Sequence, residues 1–118
     1  MIKNLLTEFE SINDYWSPKV IAEVNDSYIK IAKTKGTFVW HTHDNEDELF
    51  YVVKGTFTVQ YKDSIKILKE NDMHVVPKGI EHCPKADDEA WIMLIEKKTT
   101  KHTGTTVSHL TKTVEDQI

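Results

Sequence analysis

GTFVWHTHDNEDELFYVVKG, residues 36 to 55, sets two histidines one residue apart, a carboxylate five residues further on, and an apolar run rich in strand-forming residues. In a β-strand the side chains at i and i+2 share a face, about 6.6 Å apart along the backbone, so His41 and His43 can converge on one ion. Glu48 opens the next apolar run. If that run pairs antiparallel with the first, its carboxylate returns beside the two imidazoles. Downstream, NDMHVVPKGIEHCPKA, residues 71 to 86, offers His82 as a fourth ligand, just after a Pro-x-Gly turn that can aim the chain back at the same place.

Asp44, Glu46 and Asp47 compete with Glu48, but they fall in a polar loop. Glu48 has the parity of Phe50 and Val52, which predicts that it points inward. Three imidazoles and one carboxylate suit a divalent transition metal ion, one per subunit, and discriminate poorly among iron, manganese, nickel, copper and zinc. Each imidazole also needs its second nitrogen held, by Asn45, Thr42, Gln60 or a backbone carbonyl. His74, His102 and His109 are set aside as surface or tail histidines. Cys83 reads as a small buried side chain.

These two stretches resemble the paired motifs of the cupin superfamily, G-x5-H-x-H-x(3,4)-E-x6-G and G-x5-P-x-G-x2-H-x3-N. Gly36, His41, His43, Glu48 and Gly55 match the first, with one residue fewer after Gly36, and Pro77, Gly79 and His82 match the second. Asn71 stands where the second motif opens on glycine, and Ala86 where it closes on asparagine. The resemblance runs over about residues 28 to 97. The whole chain is similar to small single-domain bacterial cupins of the mannose-6-phosphate-isomerase-like type. It implies an all-β fold, a double-stranded β-helix or jelly-roll barrel, with His41, His43, Glu48 and His82 as metal ligands, and similar proteins are commonly homodimers.

A chain of 118 residues carries one domain. Its expected parts are an amino-terminal helix at about 2–12, a core at about 18–97 and a carboxy-terminal arm at about 98–118. Ile2, Leu5, Leu6, Phe9 and Ile12 recur at helical spacing, a stripe that covers a sheet or meets a second subunit. From Pro18 onward the period falls to two, and strands are predicted at about 20–24, 28–31, 38–42, 49–54, 56–61, 64–68, 73–76, 80–84 and 90–96. Turn residues separate them, including Ala86-Asp87-Asp88 between the last two. Such regular short strands imply an antiparallel sandwich or barrel. The arm holds seven threonines and little apolar periodicity, as in a surface-lying or disordered segment.

Parity names pocket walls: Val39, Phe50, Val52, Phe57, Val59 and Tyr61, with either Trp91, Met93 and Ile95 or Ile92 and Leu94 from the last strand. Phe38 and Trp40 fall on the opposite face. A mostly apolar cavity fits a small-molecule ligand.

Net charge is −4, and all fifteen basic residues are scattered lysines, so nucleic acid is an unexpected partner. Arginine, the best bidentate grip on phosphate or carboxylate, is absent. One cysteine, no apolar run of membrane-spanning length and no signal-peptide pattern point to a cytoplasmic protein without membrane attachment. The function expected is a metal-dependent enzyme acting on a small organic molecule, by oxygenation or isomerisation. No second carboxylate or histidine stands out beside the ligands as a general base, which leans toward the alternative of a non-catalytic metal-dependent binder or sensor.

Overall fold

A computed structural model describes residues 2–118. The elements are α1 (Leu5–Phe9), β1 (Lys19–Val24), β2 (Ser27–Thr37), β3 (Glu48–Lys54), β4 (Phe57–Tyr61), β5 (Ile65–Leu68), β6 (Met73–Val76), β7 (His82–Lys97) and α2 (Val114–Gln117). All strand pairings are antiparallel, and the strands close into a jelly-roll barrel with β7 as its spine. One edge of β7 pairs with β2, from Ser27 opposite Lys97 to Thr37 opposite Lys85. Its other edge is shared, with β4 against His82 to Lys85 and β3 against Trp91 to Glu96.

Because β7 spans both expected strands without a break, Ala86-Asp87-Asp88 is not a turn. Asp87 and Asp88 are exposed on the pleat while Ala86 and Ala90 face the core. The expected ligand strand at 38–42 is also absent: β2 ends at Thr37, and His41 makes only an isolated bridge to His82. With the pleat lost, parity no longer orients Phe38. It turns inward and stacks on Trp16 with ring centroids 4.8 Å apart.

Two apolar clusters result. The interior one gathers Trp16, Ala32, Phe38, Phe50, Val52, Phe57, Val59, Leu68, Val76, Ala86, Ala90, Ile92 and Leu94. The outer one, Phe9, Ile12, Ile21 and Ile31, packs α1 onto the back of β1, β2 and β7. Trp91 and Met93 belong to this outer cluster, so Ile92 and Leu94 are the inward parity of β7. Phe9 stacks on Trp91 at 4.8 Å. The helix is shorter than the apolar stripe because Asn4 caps its start, accepting from the Thr7 N–H, and past Phe9 the backbone bonds tighten to three-residue spacing, Ser11 N–H to the Glu8 carbonyl and Ile12 N–H to the Phe9 carbonyl.

The arm is ordered. Its capping box at Thr113 and Asp116 starts α2, and the buried Gln117 side chain reaches into the barrel to accept from Lys30 Nζ.

Phe9 is fully buried, so Phe9→Ala should lower unfolding free energy by about 3 kcal/mol. Chemical denaturation checks this; a loss below about 1 kcal/mol would mean that the helix does not hold the sheet.

Candidate metal centre

His82 is the first residue of β7 and Glu48 the first of β3, while His41 and His43 come from the loop between β2 and β3. Backbone bonds lock that loop to the β7 entry. The His41 N–H donates to the His82 carbonyl at 2.9 Å and the His82 N–H returns to the His41 carbonyl at 3.0 Å. The Gly79 N–H donates to the His43 carbonyl at 2.8 Å, which is how the Pro-x-Gly turn aims His82. Asn71 keeps its place in the second motif because it adopts φ of +71°, a region that asparagine tolerates better than most residues. Its Oδ1 also accepts from Tyr51 Oη at 2.7 Å.

One ligand atom from each of His41, His43, Glu48 and His82 lies within 4.8 Å of the others, and all four residues are buried. Glu48 Oε1 is 3.6 Å from His43 Nε2 and 3.7 Å from His82 Nε2, too far for hydrogen bonds. All three of these atoms are buried without a hydrogen-bond partner among the described residues. Buried polar groups are ordinarily satisfied, and three orphaned acceptors pointing together are the arrangement a cation satisfies. The donor set therefore fits a divalent transition ion.

Backbone carbonyls orient two of the rings. His41 Nδ1 donates to the Val39 carbonyl at 2.8 Å and His82 Nδ1 to the Ile80 carbonyl at 2.9 Å, leaving Nε2 as the ligating atom. Thr42, Asn45 and Gln60 do not take this part. Burial, reinforced by the neighbouring His82, pushes His41 down to about 4, so that imidazole is in its neutral, ligating form at neutral pH.

Sequence reasoning missed three residues around the centre. Glu96 lies opposite Glu48 in the β3–β7 register, and its Oε1 is 2.7 Å from Lys30 Nζ; Glu96 and Lys30 are both buried. Burial drives Glu96 well above the usual carboxyl range, and repulsion by the nearby Glu48 adds to this. Burial pushes Glu48 the same way, but the polar groups of Glu96, His43 and His82 around it outweigh burial and hold Glu48 well below the usual range. The pair therefore carries its anion on Glu48 and its proton on Glu96. His102, from the arm, is the third. A second carboxyl group and a fourth histidine thus stand beside the ligands.

A cavity of about 30 Å³, room for about two water molecules, adjoins the centre. His41, Glu48, Glu96 and His102 are its polar walls; Trp16, Ala32, Phe38, Phe50, Ile92 and Leu94 are among the apolar ones. Of the expected wall residues, Phe50 lines it, as do Ile92 and Leu94, the second of the two alternatives for the last strand. Val52, Phe57 and Val59 fill the core beside it, and Val39 and Tyr61 pack at the core's edge. Tyr61 Oη instead lies 2.7 Å from His74 Nε2. Trp91 and Met93 are outside the barrel. Cys83 is buried with its thiol pushed up by burial, as expected of a packing residue.

Residues 27–96 match the model of the cupin domain family. A crystal structure of a cupin-2 domain-containing protein from Shewanella frigidimarina is 44% identical, superposes with a TM-score of 0.80, and pairs 81% of this chain with 94% of its own. Protein NMB1881 of Neisseria meningitidis is 30% identical with a TM-score of 0.75, over 82% of this chain and 99% of that one. Protein YdbB of Bacillus subtilis is 35% identical over 82 residues, 69% of this chain and 73% of YdbB.

Burial lowers His102 to about 4. In the metal-free protein its NMR titration should therefore show a neutral ring from pH 7 down to near that value; a midpoint near 6.5 would contradict the burial. The unfolded chain takes up this proton first, so the contribution of His102 is full above pH 6.5 and is lost as pH falls toward 4.

Proposed function

The chain belongs to the cupin domain family, and from that premise we propose that His41, His43, Glu48 and His82 hold one divalent transition metal ion in a metal-dependent enzyme acting on a small organic molecule. The observation that carries this is the buried cluster of converging lone pairs, which no hydrogen bond among the described residues satisfies. A bound ion there supplies Lewis-acid polarisation of an oxygen, or one-electron chemistry if it is iron.

The protein's own groups do the rest. The carbonyls of Val39 and Ile80 fix two rings in the ligating tautomer. Glu96 holds a proton at its carboxyl beside Glu48, where it can be given to or recovered from a ligand atom in the cavity. The apolar walls lower the local dielectric and so strengthen the charge interactions inside. Oxygenation or isomerisation of a small molecule is the reaction class this supports. A phosphosugar substrate is disfavoured by the cavity's size and by the absence of arginine.

That size also favours a second reading, a non-catalytic binder or sensor of a very small ligand. Exposed Ile65, Ile67, Met73 and Val75 on consecutive strands β5 and β6 support a homodimer. No helix among the described residues is long and apolar enough to cross a membrane, and a single buried thiol accords with a reducing, cytoplasmic setting.

Metal analysis after anaerobic purification should find about one transition ion per subunit, with occupancy at least tenfold lower in His41→Ala and His82→Ala. Unchanged occupancy in both variants would remove the site. Oxygen consumption with small carboxylate and thiol candidates separates the enzyme from the binder.

A further inference from the structure

We propose that the arm 98–118 is a built wall of the metal cavity and that His102 is its recognition residue, donating a hydrogen bond from Nε2 to an acceptor oxygen of a small ligand. The ligand class is a compact carboxylate or carbonyl group of two or three heavy atoms, either free or at the leading end of a larger molecule. This rests on the metal reading above.

The arm is fastened to the loop that carries the ligands. Gly104 comes so close that a Cβ there would lie 2.0 Å from the Thr42 carbonyl oxygen, so no other residue fits without moving one of the two segments. The Thr105 N–H donates to that same carbonyl at 3.3 Å, and Thr106 Oγ1 donates to the Trp40 carbonyl at 3.0 Å. Trp40 and Thr42 flank His41, so these bonds set His102 in register with a metal ligand. At the arm's far end, Gln117 completes the hydrogen bonding of buried Lys30, whose other partner is Glu96. Both ends of the arm therefore close on the residues that surround the centre.

The protonation of His102 follows from its contacts. The Lys112 N–H donates to Nδ1 at 2.8 Å. A ring nitrogen that accepts carries no proton, so the neutral imidazole must hold its proton on Nε2. Its ring packs against Phe38, with centroids 4.9 Å apart. Nε2 has no hydrogen-bond partner among the described residues, and the side chain lines the cavity together with His41, Glu48 and Glu96. Glu48 and His41 are committed to the ion in the metal reading, and neither has a proton to offer an acceptor oxygen. His102 offers a neutral donor that attracts one, and a cavity of about 30 Å³ limits what can reach it.

Formate, with three heavy atoms and two acceptor oxygens, is the probe. Full-length cobalt-loaded protein is titrated with it by visible absorption, in wild type, His102→Phe and His102→Gln. The phenylalanine keeps the ring contact with Phe38 and loses the donor, whereas the glutamine keeps an N–H. Formate binding should weaken about tenfold in His102→Phe and stay within about threefold of wild type in His102→Gln, with cobalt stoichiometry unchanged in all three. Equal affinity in His102→Phe, or no formate binding by cobalt-loaded wild type, overturns the assignment while leaving the metal site standing. A wild type that takes up no cobalt overturns both. Should His102→Phe fail to fold, the proton on His102 Nε2 of the zinc-loaded wild type decides: its NMR resonance should move downfield on formate addition, and an unmoved resonance contradicts the proposal.

Discussion

A barrel interior that removes ionisable side chains from water must give each of them a partner, and this constraint orders the whole molecule. Desolvation of a charge without compensation costs several kcal/mol, more than most single contacts return. Here the compensation runs in sequence. Gln117 and Glu96 satisfy Lys30, and the proton on Glu96 steadies the anion on Glu48. The chain of partners stops at Glu48, His43 and His82, whose unpaired atoms face one another. That unfinished end is the functional centre.

The architecture exists to bring that end together. β7 starts on His82, pairs successively with β4 and β3, and carries Glu96 opposite Glu48, so a single strand holds one metal ligand and the partner of another. Its opposite face takes α1 through the Phe9–Trp91 stack, which leaves Ala90, Ile92, Leu94 and Glu96 to face inward. The arm then covers the cavity from the other side.

The all-β class and the four-residue cluster were legible in the sequence because both are local signals: period-two apolar runs, and a histidine pair, a carboxylate and a Pro-x-Gly-led histidine at fixed spacing. What depended on pairing across the chain was not. Phe38 turns inward because the strand, and with it the alternation of faces, ends at Thr37. Trp91 and Met93 could not be told from Ile92 and Leu94, since both parities are apolar, and the choice is made by α1 packing on one face. Lys30 and Glu96 did leave a trace, each a charged residue at a position whose strand neighbours face inward, but only the registers of β7 with β2 and β3 join them to Glu48. His102 left none, because the threonine-rich arm is held by backbone bonds and one close glycine contact, neither of which has a side-chain period.

The central claim is that four side chains share one ion inside the barrel. Anomalous X-ray diffraction from crystals of the metal-loaded protein, collected at the absorption edge of the ion, tests it most directly. The expected result is a single peak per subunit at about 2.0–2.3 Å from one nitrogen each of His41, His43 and His82 and an oxygen of Glu48. A peak elsewhere, or none among these residues in crystals that contain the metal, would contradict it.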